Sequence, residues 1–321
     1  MKKTLKSIDD RFQVARHYIR QGYKITLVLK YAGLSRSTYY YHVSSENKVK
    51  VKPENVGRPI VGYSITTSGK KICDEEIKDN IMELIQGDAF FYGYHKITHD
   101  LMKEYNLIIN HKKVYRLCKE LNILKKQRVI KPHVKSSISV NRIVKKSNEL
   151  WEADIKYGYI IGEDKFFFVL SVIDVFDRSI IDYYMGYRCT GSDAASLIRR
   201  CLIRRDLLDS EGKPVIRTDN GPQFISNIFE ESCKDINIYH ERIPSRTPNK
   251  NAHIESFHRI FEDECIGIYE FDSYKDAYAE VARFMKRYNT RRLHSSLKYK
   301  TPNEFYIQNM GKEIESMAIH L

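Results

Sequence analysis

The spacing of apolar residues predicts a first part of the chain that is entirely helical. Apolar positions at helical spacing predict one helix on each side of Gly22. Gly33 then suits a tight turn, and Ser35 can cap a third helix. A glycine-containing turn followed by a capped helix is typical of a helix-turn-helix, and a plain helical hairpin is the alternative. Residues 1–42 are therefore predicted to bind DNA, with Arg36 at the start of the recognition helix.

A second helical region follows a polar segment. Residues 43–72 contain two prolines and three glycines and are predicted to be a linker. Helical spacing returns at 73–87, and two more helices are predicted at 95–105 and directly after Asn110, which can cap the second of them. This pattern predicts another helix-turn-helix-like DNA-binding region over 73–128. Its candidate contacts to DNA phosphate are the cations Lys112, Lys113, Arg116, Lys125, Lys126 and Arg128.

Positive charge is concentrated in the first 150 residues. They hold 30 Lys and Arg against 14 Asp and Glu, whereas the rest of the chain holds 24 against 27. No acidic residue lies between Leu121 and Asn148, so residues 129–148 are predicted to be a basic linker that follows DNA phosphates. A solvated basic surface is the alternative interpretation of the charge alone.

From residue 149 the pattern changes to strands and then to alternating helices and strands. This order is typical of an α/β fold in which helices cover a mixed sheet, and we assign residues 149–268 to it. Residues 269–321 are predicted to form a C-terminal basic helical extension. The predicted strands are 151–155, 157–161, 165–174, 180–186, 215–218 and 238–242, and the helices are 192–208, 224–236 and 252–265.

Three carboxylates lie at the ends of these predicted elements. Asp154 is near the end of the first strand, Asp219 follows the strand at 215–218, and Glu255 is on the flank of the helix at 252–265. Each aspartate alone is most often a turn residue, but together the three acids fit phosphodiester cleavage. That reaction needs an activated nucleophile and relief of charge on the leaving oxygen, which two Mg²⁺ ions supply. Such hard cations take carboxylate oxygens as ligands.

The sequence around these acids resembles the acidic triad of the retroviral-integrase superfamily of transposases. Thirty-five residues lie between Asp219 and Glu255, a spacing that members of the superfamily share. The surrounding sequence narrows the resemblance to OrfB-type transposases of the IS-three family of bacterial insertion sequences. It is carried by Thr218-Asp219-Asn220-Gly221-Pro222-Gln223-Phe224, Asn251-Ala252-His253-Ile254-Glu255-Ser256-Phe257-His258, Tyr288-Asn289-Thr290-Arg291-Arg292-Leu293-His294 and Leu297-Lys298-Tyr299-Lys300-Thr301-Pro302.

The resemblance implies an RNase H-like catalytic core and the transfer of DNA strands. Asp154 would bridge two Mg²⁺ or Mn²⁺ ions once DNA is bound, Asp219 would hold one ion and Glu255 the other. The implied partners are double-stranded DNA, meaning element ends and target, and further copies of the chain. A protein encoded by an upstream reading frame (OrfA-type) is a further possible partner. Many relatives have Thr where this chain has Lys156, and the first-frame protein has no clear counterpart in this chain.

Several basic residues near the triad are further candidates for DNA contact. Lys156 either contacts phosphate or points outward, and His258 either contacts DNA or packs. The last two motifs contribute four candidates that either contact DNA or brace the catalytic helix: Arg291, Arg292, His294 and Lys298. The candidates are Lys156, His258, Arg259, Arg291, Arg292, His294 and Lys298.

Other features exclude competing classes of protein. The six cysteines are scattered singly, which indicates reduced thiols, and His95 with His99 is predicted to be a helix-surface pair and not a zinc site. No apolar stretch is long enough to span a bilayer, and we expect a cytoplasmic, nucleoid-associated protein without a small-molecule substrate. Two other functions stay open. One is a DNA-binding regulator or inactive remnant, and the other is a nuclease acting on RNA–DNA hybrids.

Overall fold

The structure, a computed structural model, describes residues 7–46, 61–125, 142–243 and 251–310. It divides into two compact units, Met1–Ile60 and Val61–Leu321. The predicted DNA contacts Lys126 and Arg128, and most of the predicted basic linker, lie outside the described residues.

The described part of the first unit, residues 7–46, consists of three helices, as its apolar spacing predicts. They are α1 (Ile8–Arg20), α2 (Ile25–Ala32) and α3 (Arg36–Glu46). Gly33 ends α2 with a φ of 67°, a left-handed conformation that glycine adopts without strain. The Ser35 hydroxyl accepts a hydrogen bond from the Thr38 amide at 3.0 Å, which caps α3. Phe12, Ala15, Leu29 and Tyr39 form the small core of this unit.

The second unit begins with a small domain of three helices and a three-stranded sheet. Its elements are β1 (Tyr63–Thr66), β2 (Lys71–Cys73), α4 (Asp74–Gln86), α5 (Tyr94–Glu104), β3 (Leu107–Ile108) and α6 (His111–Glu120). The prediction of a linker over 43–72 was wrong for its last part, because β1 and β2 form an antiparallel hairpin there. These strands are three or four residues long and mostly exposed, so they leave almost no apolar signal in the sequence.

A five-stranded mixed sheet forms the centre of the second unit. Its strands are β4 (Leu150–Ile160), β5 (Lys165–Asp174), β6 (Ile180–Gly186), β7 (Val215–Thr218) and β8 (His240–Arg242). They lie in the order β6-β5-β4-β7-β8. The first three are antiparallel neighbours, and β7 and β8 run parallel to β4. This is the topology of an RNase H-like fold, so the predicted fold class is confirmed.

Helices cover both faces of this sheet. They are α7 (Gly191–Arg204), α8 (Asn227–Asp235), α9 (Ala252–Phe261), α10 (Tyr274–Thr290) and α11 (Pro302–Asn309). Trp151 and Ala153 of β4 pack in one core with α7 and α8. A second core contains α9 and α10 with residues of β5 and β6. Side chains alternate along a strand, so Glu152 and Asp154 face the side opposite to Trp151 and Ala153.

The segment after residue 268 is part of the core and not a separate extension. Phe284 and Tyr288 of α10 are buried against Phe257 of α9, with the rings of Tyr288 and Phe257 5.0 Å apart. Helix α9 continues directly into a π-helical turn, Glu262–Ile266. The predicted boundary at 268 therefore divides one packed unit.

Candidate active site

Asp154 occupies a half-buried position on β4. The Ile155 amide donates a hydrogen bond to its Oδ1 at 2.7 Å, and the Nδ1 atom of His258 lies 3.5 Å from its Oδ2. Burial raises the pKa of Asp154 to about 7 against the effect of the Ile155 amide, and the negative charges of Asp219 and Glu255 add to the increase. The other two acids of the predicted triad therefore act electrostatically on Asp154.

Asp219 follows β7 directly and is exposed. Its Oδ1 accepts a hydrogen bond from the Gly221 amide at 2.9 Å, so the side chain closes its own turn. Asn220 anchors the same turn by donating from Nδ2 to the Ile243 carbonyl at 2.8 Å, next to the end of β8. The sharp turn that the Asp-Asn-Gly-Pro sequence predicts is therefore present.

Glu255 lies in the first turns of α9, and its side chain is exposed. The helix is held against the sheet by Ile254, Phe257 and Phe261, which are buried. Burial of part of its carboxyl and the negative charge of Glu152 raise the pKa of Glu255. Strand β4, the turn after β7 and helix α9 thus each contribute one acid.

The three acids share an electrostatic neighbourhood but do not form a closed ligand set. Within the four described ranges, no three His, Cys, Asp or Glu side chains converge closely enough to hold a metal ion. The donor chemistry nevertheless fits Mg²⁺ or Mn²⁺, because all three groups are carboxylates. Burial raises the pKa of Asp154 most, and repulsion by Asp219 and Glu255 adds to it. A divalent cation would relieve that repulsion.

Glu152 is a functional residue that the sequence interpretation missed. Its carboxylate is fully buried and accepts hydrogen bonds from the His253 and Ile254 amides at 3.1 and 3.0 Å, and it lies 3.1 Å from the Nδ1 atom of His253. Asn251, at the N-cap of α9, makes no side-chain capping bond, so Glu152 takes that role from β4. Its position two residues before Asp154, on the same face of the strand, is the signal that could have revealed it.

Comparisons with known proteins agree with this architecture. Two integrase core domain families match residues 144–248 and 236–302, and an HTH-like domain family matches residues 73–131. The chain is 30% identical to an uncharacterized 39.2 kDa protein of insertion element IS476 from Xanthomonas euvesicatoria, over 72% of this chain and 64% of that protein. It is 26% identical to the putative transposase InsK of insertion sequence element IS150 from Escherichia coli, over 89% of this chain and 95% of that protein. Residues 144–302 are therefore similar to integrase core domains, and the chain as a whole is similar to proteins of bacterial insertion elements.

Among solved structures, the chain is similar to the HTLV-2 integrase catalytic core domain in complex with magnesium. It is 19% identical, covers 51% of this chain and 99% of its own, and has a TM-score of 0.37. The integrase core matched by the two families runs from 144 to 302 and therefore includes α10, in agreement with the shared packing of α9 and α10. Within the described ranges, no helix is long and apolar enough to cross a membrane.

Several of the predicted DNA contacts are exposed. Their side chains face solvent in three different parts of the chain: the first helical unit, the HTH-like domain and the integrase core. These residues are Arg36, Lys112, Lys125, Arg259, Arg291 and Lys298. Their contact with DNA stays a prediction.

Two predicted DNA contacts in the HTH-like domain are instead engaged with acids. Lys113 and Arg116 bind opposite oxygens of Asp74 at 2.5 and 2.6 Å, and Arg116 also binds Glu120 at 2.7 Å. These ion pairs connect α6 to the start of α4. They favour a role for both cations in the packing of the domain.

In the integrase core, the contacts of Arg292 favour the alternative that it braces the catalytic helix. Arg292 is 8% exposed and binds Glu264 in the π-helical turn, with Nη2–Oε1 at 2.7 Å and Nε–Oε1 at 3.0 Å. Arg287 binds the other oxygen of Glu264 at 2.7 Å. His294 is also buried, and burial lowers its pKa well below the usual value. The burial of both side chains favours the bracing alternative for Arg292 and His294, and their contact with DNA stays a prediction.

Two more candidates lie beside the acids. Lys156 forms an ion pair with Glu262 at 2.9 Å, and both side chains stay partly exposed, so its contact with phosphate stays a prediction. His258 is mostly buried, and burial lowers its pKa to about 4, with the charge of Lys156 adding to the decrease. A neutral imidazole next to Asp154 favours the packing alternative for His258.

Proposed function

We propose that this chain is the DNA transposase of a bacterial insertion sequence, which cuts DNA at element ends and joins the ends to other DNA. The observation that carries the proposal is the placement of Asp154, Asp219 and Glu255 around one end of an RNase H-like sheet, where the last two acids act on the pKa of the first. The integrase core and HTH-like matches, and the relatives from insertion elements, support it.

The carboxylates would hold two divalent ions, Mg²⁺ or Mn²⁺, when DNA is bound. Asp154 would be shared between the ions, with Asp219 on one and Glu255 on the other. Bound ions would supply positive charge at the leaving oxygen and lower the pKa of the attacking water. This chain contributes the rigid support for the site, because Glu152 fixes the start of α9 to β4.

The proposed reaction consists of two displacements at phosphorus. In the first, a water oxygen bonds to phosphorus, the bond to the 3′ oxygen breaks, and that oxygen leaves as a 3′-hydroxyl. In the second, this hydroxyl attacks another phosphodiester and displaces its bridging oxygen, so no bond to the protein forms. Strand transfer requires two ends together, and we therefore infer that double-stranded DNA and further copies of this chain are partners, with an upstream-frame protein as an additional one.

The first test places the gene with its native flanking DNA on a plasmid and measures joined element ends in cells. Wild type, Glu255→Gln and the control Glu231→Gln, an exposed acid on α8, are each assayed with and without the upstream frame. We expect junctions in wild type and the control and at least a hundredfold fewer in Glu255→Gln. Junctions that depend on the upstream frame would identify it as a partner.

Three outcomes would overturn the proposal. Equal numbers of junctions in wild type and Glu255→Gln would remove the acids from the reaction. No junctions in any arm, together with binding of the purified protein to the element ends, would favour a DNA-binding regulator. Cleavage of RNA–DNA hybrids without any joining of ends would favour a hybrid nuclease.

A further inference from the structure

A polar cavity of about 510 Å³ lies beside the catalytic helix, outside the acidic site. Ser256, Arg259 and Asp263 line it from α9 and its π-helical turn, at positions that share one stripe of the helix. Lys96 lines it from α5 of the HTH-like domain, and Ser295 lines it from the loop after α10. The HTH-like domain, the catalytic helix and the C-terminal part of the core therefore meet at this cavity.

The lining of the cavity carries more positive than negative charge. Four cations line it, Lys96, Lys125, Arg259 and Arg292, against the two carboxylates of Asp263 and Glu264. Glu264 is already bound by two arginines, Arg292 and one from outside the lining. The negative charge of Glu264 is thus compensated without Lys96. The lining of the cavity therefore has a net positive charge.

Lys96 is the cation that most needs a partner. Its ammonium group lies 4.8 Å from the centre of the Tyr92 ring, and the described part of the chain places no carboxylate within ion-pair distance of it. Burial and then the positive charge of Arg292 lower its pKa to about 7. His294 lines the same cavity and, among the described residues, no group bonds to its buried Nε2 atom. An anion in the cavity would stabilise both the charge of Lys96 and the packing around it.

The position of the cavity indicates which anion fits. Ser256 directly follows Glu255, and Arg259 lies one helical turn beyond it, so the cavity and the acidic site are neighbours along the same helix. A DNA strand with one phosphodiester at the acids would place its neighbouring phosphates at this cavity. Serine hydroxyls and cations are the groups that proteins use to position DNA phosphates.

We propose that this cavity binds a backbone phosphate of the DNA that occupies the acidic site, with Lys96 and Arg259 as its cations and Ser256 and Ser295 as donors. The inference rests on the proposed function, because it assumes that DNA is the ligand of the neighbouring site. It assigns a direct DNA contact to α5 of the HTH-like domain, at a residue absent from the contacts predicted from the sequence.

The test measures how the affinity for a DNA duplex depends on salt concentration. The full chain is compared with Lys96→Gln, with Lys96→Arg, which keeps the charge, and with Lys119→Gln, an exposed lysine of the same domain outside the cavity. Each neutralised phosphate contributes about 0.9 to the slope of log Kd against log salt. We expect Lys96→Gln to lower the slope by about 0.9 and to weaken binding about fivefold to tenfold at 0.1 M salt. Lys96→Arg and Lys119→Gln should keep the wild-type slope.

A second measurement does not depend on the folding of a variant. Lysines of the wild-type protein are acetylated with and without the duplex, and a further arm replaces the duplex with inorganic phosphate at equal ionic strength. We expect DNA to slow modification of Lys96 at least fivefold and to leave Lys119 unchanged. Protection by inorganic phosphate and not by DNA would show a site for free phosphate and overturn the proposal.

The outcomes also separate this proposal from the proposed function. Wild-type binding with an unchanged slope in Lys96→Gln, and no protection of Lys96, would overturn the cavity proposal and leave the transposase proposal intact. Failure of the wild-type protein to bind any duplex would overturn both.

Discussion

Replacing Glu152 tests whether the catalytic helix is positioned from β4. The substitution Glu152→Gln keeps the size of the side chain and one acceptor oxygen but removes the negative charge. In the wild type that charge receives two amide donors from the first turn of α9 and lies 3.9 Å from Nη1 of the buried Arg217. The change therefore acts on the link between the strand that carries Asp154 and the helix that carries Glu255.

The structure sets the size of the effect. Hydrogen bonds to a charged acceptor are worth about 1.5–3 kcal/mol each, and a negative group at a helix N-terminus adds up to about 1 kcal/mol. Glu152→Gln retains an acceptor oxygen for the amides and so part of these two contributions. We therefore expect a loss of about 1–3 kcal/mol in the free energy of unfolding. Glu152→Ala leaves two helix amides and a buried arginine without this carboxylate, and we expect a loss of about 3–5 kcal/mol.

Two assays measure the consequence. Urea unfolding gives the loss of stability, and joining of element ends at increasing Mg²⁺ or Mn²⁺ concentration gives the metal requirement of the folded variant. The control is Glu241→Gln. Glu241 also binds Arg217, at 3.3 Å, but among the described residues no hydrogen bond or ion pair joins it to α9. We expect Glu152→Gln, and not the control, to need at least tenfold more metal. If both variants unfold at the wild-type urea concentration and keep the wild-type metal requirement, Glu152 does not position the helix.

Three further predictions concern stability. The hydroxyl of Tyr92 accepts a hydrogen bond from the buried Leu293 amide at 2.7 Å, so Tyr92→Phe should cost about 1–3 kcal/mol and lower Tm; an unchanged Tm would contradict this. Burial raises the pKa of Asp100 from 3.8 to about 6, so the contribution of Asp100 to stability should fall as pH rises from 4 through 6. Asp100→Asn should therefore gain about 1–3 kcal/mol at pH 7.5 and nothing below pH 3.8, and equal gains at both pH values would refute the assignment. A methyl group on Gly162 would lie 2.1 Å from a carbonyl oxygen of the loop before α10, so Gly162→Ala should cost about 1–3 kcal/mol, whereas Gly212→Ala, with nothing within 4 Å, should unfold like wild type.

The parts of the fold that the sequence predicted are those with a regular apolar pattern. Strand β5 and helix α7 have long periodic patterns, and their predicted positions are close to the observed ones. The turn at Asp219 was also predictable, because Asp-Asn-Gly-Pro fixes the backbone locally. The hairpin of β1 and β2 was not, since its short strands are held by pairing and by α4 and not by an apolar face of their own.

Long-range ionic contacts explain the remaining differences. The sequence shows that Arg292 is basic and near a motif, but not that Glu264, twenty-eight residues earlier, binds it. Lys113 and Asp74 are likewise far apart in sequence. A cation in a basic region is equally compatible with DNA contact and with an internal ion pair, and only the fold distinguishes the two. Glu152 was missed because the amides that it binds, of His253 and Ile254, are 101 and 102 residues away in the sequence.

Strand β4 makes the site inseparable from the core. Its odd-numbered residues Trp151 and Ala153 fill the core beneath α7 and α8, and its even-numbered residues Glu152 and Asp154 face α9. A shift of the strand by one residue would exchange the two sets, placing both carboxylates in an apolar core, and burial of two unpaired charges there would oppose it strongly. The register that packs Trp151 therefore also sets Asp154 against the catalytic helix.

Asp219 is held differently from the other two acids. Asp154 is fixed by the sheet, and Glu255 is on a helix tied to the same strand through Glu152, so these two acids belong to one rigid frame. Asp219 is exposed on a turn that is closed by its own hydrogen bond to Gly221. Among the described residues, the Glu255 carboxylate accepts no comparable bond from a backbone amide. The turn of Asp219 is anchored a second time by Asn220, which donates to the Ile243 carbonyl at 2.8 Å. The position of Asp219 therefore depends on the turn between β7 and α8, whereas the positions of Asp154 and Glu255 depend on the packing of β4 against α9.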